Sequence, residues 1–257
     1  MPVGAYLVTL IFIVTIIAET ATFDRTQRPP RGDRLESIVY QGITRRYLIH
    51  IPPNLPQKKE IPLVFVLHGG GGTPVSVARL TGFNRLADSA GFIVVYPQAV
   101  NRHWNDGRDI TKYRSHRENI DDTGFIAALI DTIGCRMKID RSRIYACGIS
   151  NGGMMCHRLG CEIADRLAAI ATVAAALPEN LARRFPLPTP LPVLMFNGTA
   201  DPFVPYEGGL VGITAPRGQV LGVEATARLW AESNRNAKIQ TERVSAAGRD
   251  KPEIIRI

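Results

Sequence analysis

The chain predicts an α/β architecture, a mostly parallel central sheet covered by helices on both faces. Three observations carry that expectation. Strand-like and helix-like segments alternate along the 257 residues, the pattern of a layered α/β domain. Several strand candidates are unbroken apolar runs, as strands buried on both faces require. One of these runs passes through a glycine-flanked turn directly into a helical segment. The length suits one domain with a large core, and 45% apolar with 21% charged residues is ordinary for a globular protein.

Ahead of the domain, Ala5 to Ala18 (AYLVTLIFIVTIIA) is apolar and uncharged, fourteen residues in all. That is short for a membrane span of ~20 residues and suits the apolar core of a signal peptide. Residues 1–21 are therefore expected to be a signal peptide, with cleavage after Ala18 or Ala21 and export to the outside. An uncleaved membrane anchor is the alternative, because no basic residue precedes the run. Residues 22–35 carry Arg25, Arg28, Arg31 and Arg34 without periodicity and are expected to be a flexible basic linker. The folded domain is then 36–257.

Within it, Ile61–Leu67 is the first buried strand, and it runs into His68-Gly69-Gly70-Gly71-Gly72. Asn84 to Ala90 reads as a crossover helix. Ile93–Tyr96 is a strand, followed by a long loop that holds His103, Trp104, Asn105 and His116. Asp122 to Gly134 reads as a second crossover helix, with Phe125, Leu129 and Ile133 at helical spacing and Asp122 as its expected cap. Arg143–Cys147 is a short strand before the turn, and Gly153–Leu159 the helix after it. Pro186 to Pro192 is a proline-rich connector, a rigid loop or else a lid over a rim. Pro192–Phe196 is a further buried strand, and Glu253–Ile257 has the look of a last one.

The turn itself, Gly148-Ile149-Ser150-Asn151-Gly152, spells G-x-S-x-G between strand and helix. In that setting the serine sits on a tight turn with its hydroxyl above the sheet, and glycines flank it where side chains would collide. A chance match in a glycine-containing turn is the alternative. Acyl transfer also needs donors aimed at the developing oxyanion. The backbone N–H of Asn151 is one candidate. The glycine loop supplies the other, Gly70 first and Gly71 second. A phosphate cradle is excluded there, since no Lys-Ser/Thr ending and no dinucleotide fingerprint follows. His68 is expected to order this loop by hydrogen bonding. Asp201, just beyond the strand Pro192–Phe196, lies where an orienting carboxylate belongs in the order serine, acid, histidine. No histidine follows it: the five are His50, His68, His103, His116 and His157. His157 lies seven residues past Ser150, roughly two helical turns away and facing elsewhere. His103 and His116 are the substitutes open to consideration.

The order of these segments resembles the secreted polyhydroxybutyrate depolymerase-like esterases, a family that includes feruloyl and acetylxylan esterases. The likeness runs through Val66–Gly72, Trp104-Asn105-Asp106-Gly107-Arg108, Asp121–Ile126, Gly148–Met155 with Arg158–Cys161, Asn197–Pro202 and Val204–Tyr206, from about Leu35 to the last residue. It implies an α/β-hydrolase fold and a serine carboxylic-ester hydrolase acting through an acyl-enzyme, with Ser150 and Asp201 as triad members. It also implies that the family's histidine, in a glycine-rich turn after one more strand, is missing together with the terminal helix. The chain is then expected to be a truncated, nearly inactive esterase. A binding domain that kept the cleft and lost the base is the alternative, and a serine peptidase a lesser one. Trp104 and Asn105 are expected near the site, lining an acyl or sugar pocket, with plain loop packing equally open. The chemistry needs no cofactor, and the partner is an ester substrate, polymeric in a polyester or plant cell wall.

The net charge of +8 comes from dispersed basic residues, and no nucleic-acid-binding motif is present. No metal-ligand spacing occurs, and no protein partner is implied. Cys156 and Cys161 share a helix at roughly 8–9 Å, beyond bridging distance. Cys147 reads as a core thiol, and a Cys135–Cys161 pair stays open.

Overall fold

The computed structural model describes residues 32–55, 59–213, 215, 217–235, 237–243 and 252–256. The expected signal segment and the linker up to Arg31 lie outside the described residues. Strand β1 (Arg34–Tyr40) starts within the stretch expected to be linker. It pairs with β2 (Ile43–His50) around Gln41-Gly42, both at positive φ. Then follow β3 (Ile61–Leu67), α1 (Pro74–Thr81), α2 (Phe83–Ala90), β4 (Ile93–Pro97), α3 (Asp122–Arg136), β5 (Ile139–Ile149) and α4 (Asn151–Ile163). β6 (Ala169–Val173), β7 (Val193–Gly198), the small hairpin β8 (Gly209–Leu210) and β9 (Gln219–Val220), α5 (Val223–Ser233), β10 (Gln240–Arg243) and β11 (Pro252–Arg256) complete the order.

Nine strands form one sheet in the order β1-β2-β4-β3-β5-β6-β7-β11-β10. Strands β4, β3, β5, β6 and β7 are parallel and form its centre. Their burial follows from composition: β4 (IVVYP) is buried at every position and β3 (IPLVFVL) at five of seven. One large apolar cluster includes Phe65, Phe125, Leu129, Met154, Leu159 and Trp230, and a second includes Val66, Val77, Ala87 and Tyr96. Two covered faces are the α/β-hydrolase arrangement expected above.

Topology fixes where a ligand can sit. The chain leaves β3 to build β4 on one side, then returns across to build β5 on the other. β3 and β5 thus flank the point where the winding reverses. In open α/β sheets the crevice beyond the carboxyl ends of the strands at such a point is the binding position. The glycine loop leaves β3 there, and Ser150 leaves β5.

Three expectations change. The cap of α3 is Asp121, whose Oδ1 accepts the Gly124 N–H at 2.8 Å; Asp122 is inside the helix and fully buried. The last strand is present, but β11 runs antiparallel to β7, with Pro252 beside Gly198 at the rim and Arg256 beside Leu194. It therefore leads away from the Ser150 rim, and β10, antiparallel to β11, is the strand that heads toward it. All four cysteines are free, so Cys135 and Cys161 are not joined. The proline-rich connector is a pinned loop: Leu187 N–H donates to Ser233 Oγ at 2.9 Å, and Leu191 exchanges two hydrogen bonds with Asn234. Among the described residues no helix is long and apolar enough to cross a membrane.

Candidate active site

Ser150 has φ 53° and ψ −121°, a conformation L-residues avoid, and begins α4 without making a capping hydrogen bond through its side chain. Such backbone strain persists only where the surroundings over-determine it. Here the Ser150 N–H donates to Val173 O on β6 at 2.8 Å, and Ser150 O accepts the Met154 N–H at 2.9 Å. The flanking glycines are required by contact. A Cβ on Gly148 would lie 2.5 Å from the Gly152 carbonyl, and one on Gly152 would lie 2.5 and 2.6 Å from the carbonyl oxygens of Leu67 and His68. The turn is pressed flat against the end of β3.

The same contacts place the glycine loop. The Cβ direction of Gly69 points at Ser150 Cβ, 3.7 Å away, and that of Gly70 at Asn151 Cβ, also 3.7 Å away. The loop's N–H groups are not equivalent. Gly71 donates to Arg102 O at 2.8 Å and Gly72 to Gly69 O at 2.9 Å. Among the described residues the Gly70 N–H has no backbone acceptor, which separates it from Gly71 as an oxyanion donor. The N–H of Asn151 opens α4, where helix geometry supplies no acceptor.

His68 does order the loop. Its Nδ1 lies 2.7 Å from Gly69 O, and its Nε2 accepts the Ala99 N–H at 3.2 Å. Burial pushes its pKa down to about 4, so it is a neutral spacer. His157 is fully buried, accepts the Trp230 indole N–H at 3.1 Å, and is pushed by burial to about 3. For both residues the folded state disfavours the proton that the unfolded chain takes up near 6.5. Their stabilising share is thus present above that pH and lost as pH falls toward 4 for His68 and 3 for His157. Each is expected to cost about 1 kcal/mol between pH 7.5 and 5.5. Thermal midpoints at the two pH values check this, and His157→Gln should remove its own share of the shift, about 1 kcal/mol.

Each remaining candidate has other partners. His103 stacks on Tyr113 at 3.8 Å, and its Nε2 faces Gly70, 3.3 Å from where a Cβ would be. His116 is buried 3.6 Å from Asp106. Burial lowers the pKa of each. His50 is held by Asp33 and Asp88 at 2.7 and 2.9 Å.

Asp201 stands three residues beyond β7, with Oδ1 accepting the N–H groups of Phe203 and Val204 at 2.8 and 3.0 Å. β5 and β7 are separated by one strand, so their ends lie about 10 Å apart on one rim.

Trp104 and Asn105 are 0% and 5% exposed and present no face to a cleft. Of the two roles left open for them, their contacts match loop packing. The Trp104 indole N–H donates to His68 O at 2.9 Å, and the Asn105 N–H donates to Asp122 Oδ2 at 2.8 Å. Asp122 in turn pairs with buried Arg45 at 2.5 Å, and the Arg45 guanidinium lies 3.9 Å over the Phe125 ring. Burial raises the Asp122 pKa against the opposing pull of Arg45.

Residues 45–178 match the family described as Esterase PHB depolymerase. The chain belongs to this family. Among curated relatives, NocK of Nocardia uniformis subsp. tsuyamanensis, whose name carries an inferred esterase activity, is 36% identical over 190 residues, covering 72% of this chain and 54% of that protein. Feruloyl esterase B of Piromyces equi is 28% identical over 197 residues, 74% of this chain and 35% of that protein. The chain thus spans about half the length of the first and a third of the second. A solved thermostable esterase shares the fold at TM-score 0.55 and 17% identity, over 80% of this chain and 52% of that one.

Within this esterase family member, sequence reasoning missed a second buried pair. Asp106 is fully buried between Arg108, at 2.7 Å, and the side-chain amide of Asn151, at 2.6 Å. The available signal was a carboxylate and a guanidinium two residues apart behind a tryptophan, in a segment treated as pocket lining.

Proposed function

We propose that the chain is the catalytic portion of a secreted serine carboxylic-ester hydrolase, acting through an acyl-enzyme on feruloyl, acetyl or polyhydroxyalkanoate esters. The observation that carries this reading is the strained Ser150 held between two obligatory glycines and facing the Gly69–Gly70 backbone. Ser150 Oγ attacks the ester carbonyl, the N–H groups of Asn151 and Gly70 receive the oxyanion, and water later releases the acid. Asp201 orients an imidazole that bridges it to Ser150. We read none of the five histidines as that imidazole, so Ser150 in this chain is expected to lack a base to take its proton. Export, read from Ala5–Ala18, belongs to the same proposal.

Loss of the base costs about 10⁶ in turnover in a related triad enzyme, with a residual ~10³–10⁴ over water. The expected result is weak turnover of p-nitrophenyl acetate, slow modification of Ser150 by a fluorophosphonate, and a rise in turnover on adding imidazole. Ser150→Ala should abolish both the modification and the imidazole-dependent gain. If Ser150→Ala matches the unsubstituted protein in both, the serine mechanism is wrong. The alternative reading is a domain that binds esters without cleaving them. Saturable ester binding without turnover or labelling would select it.

A further inference from the structure

We propose that Asp106 is a positioning residue that sets the two oxyanion donors relative to each other through the side chain of Asn151. The proposal rests on the esterase reading of Ser150, and it concerns groups that touch no substrate.

The orientation of the Asn151 amide is settled by its partners. Its Nδ2 donates to Asp106 Oδ2 at 2.6 Å and to Trp104 O at 3.1 Å, while its Oδ1 accepts the Trp104 N–H at 2.8 Å. The residue whose backbone N–H opens α4 is therefore clamped to Trp104 on both sides. Trp104 continues the chain of contacts: its indole N–H holds His68 O at 2.9 Å, and His68 Nδ1 holds Gly69 O at 2.7 Å. A circuit of hydrogen bonds runs from Asp106 through Asn151, Trp104 and His68 to the residue preceding Gly70 and ends there. Every side chain in it is at most 5% exposed.

Asp106 is the only charged member, and its charge is satisfied. Oδ2 accepts from Arg108 Nε at 2.9 Å, and Oδ1 accepts the Arg108 N–H at 3.1 Å. Arg108 Nη1 donates onward to Arg217 O at 2.8 Å. A paired carboxylate gives a stronger and better-aimed acceptor than a neutral amide. It also places no net charge beside the oxyanion. Active-site donors must be held to about 0.5 Å by such supports, so weakening this acceptor loosens both donors together.

The test compares Asp106→Asn with Leu129→Ala, a core truncation on α3 outside the circuit. Ser150-dependent turnover of p-nitrophenyl acetate is measured with imidazole as external base, separating kcat from KM. Hydrogen exchange is followed in peptides covering 68–72 and 150–155. Asp106→Asn should lower kcat by about 10²-fold, the size of losing one oxyanion donor, with KM within about threefold. It should also speed exchange in both segments. Leu129→Ala should lower the thermal midpoint and keep kcat within about threefold. Unchanged kcat in Asp106→Asn, or an equal loss in Leu129→Ala, overturns the proposal. If the unsubstituted protein shows no Ser150-dependent turnover, the esterase reading fails and exchange alone decides. Faster exchange at 68–72 in Asp106→Asn then supports the brace, and unchanged exchange overturns it.

Discussion

Gly152→Ala is expected to be severely destabilising. The added Cβ would fall 2.5 Å from Leu67 O, 2.6 Å from His68 O and 2.8 Å from Leu67 C, all backbone atoms at the end of a strand buried in the sheet. No side-chain rotation relieves that overlap. Either β3 or α4 must shift, and α4 packs across β5 and β6 with Met154, Met155 and Leu159 fully buried. Severe overpacking belongs with the exceptional losses, on the order of 4–5 kcal/mol, against a total of about 5–15 kcal/mol for a domain. Denaturant unfolding of Gly152→Ala beside Gly71→Ala checks it. A Cβ at Gly71 meets nothing within 4 Å, although its φ of 79° adds local strain. The glycine with the crowded Cβ should be far the worse. Equal losses would mean that backbone conformation, rather than contact with β3, governs the elbow.

Asp122→Ala is the second large effect. The substitution leaves the Arg45 guanidinium, 2% exposed, without its ion-pair partner, and the Asn105 N–H without an acceptor. Breaking a buried pair from one side costs about 3–5 kcal/mol, a fall in thermal midpoint of roughly 10 °C for a domain of this size. Replacing both partners by apolar residues, Arg45→Met with Asp122→Leu, should recover most of that loss, since no uncompensated charge remains. A double variant no more stable than Asp122→Ala would show that the Asp122–Asn105 hydrogen bond, and not the charge pair, carries the cost. Thermal melts of the three proteins separate the two.

The elements legible in sequence were those decided by local composition. Ile61–Leu67 is a strand at the expected residues because nothing polar interrupts it. The elbow was legible because strand, G-x-S-x-G and helix follow one another without a gap. β1 and β2 were not, because Arg45 is 2% exposed and looks in the sequence like a surface residue. Its burial depends on Asp122, 77 positions away. β5 begins at Ile139, earlier than its apolar core, through exposed Arg141, Ser142 and Arg143. The sense of β11 was equally hidden, since composition marks a strand and only pairing sets its direction. In the candidate site, the placing of Ser150, Asp201 and the glycine loop just beyond β5, β7 and β3 follows from their own neighbourhoods. The bracing by Asp106 does not, because it is defined by what a side chain meets across 45 residues.

Ser150 hangs from β5, a strand bonded on both sides, and is stitched to β6 through Val173 O. Other loops are attached outside this framework, among them the β8–β9 hairpin, whose Leu210 and Ile213 are exposed. Selection can therefore rewrite those loops while the Ser150 backbone stays where the sheet puts it. A lineage built this way can vary its outer surface in small steps without disturbing the sheet beneath.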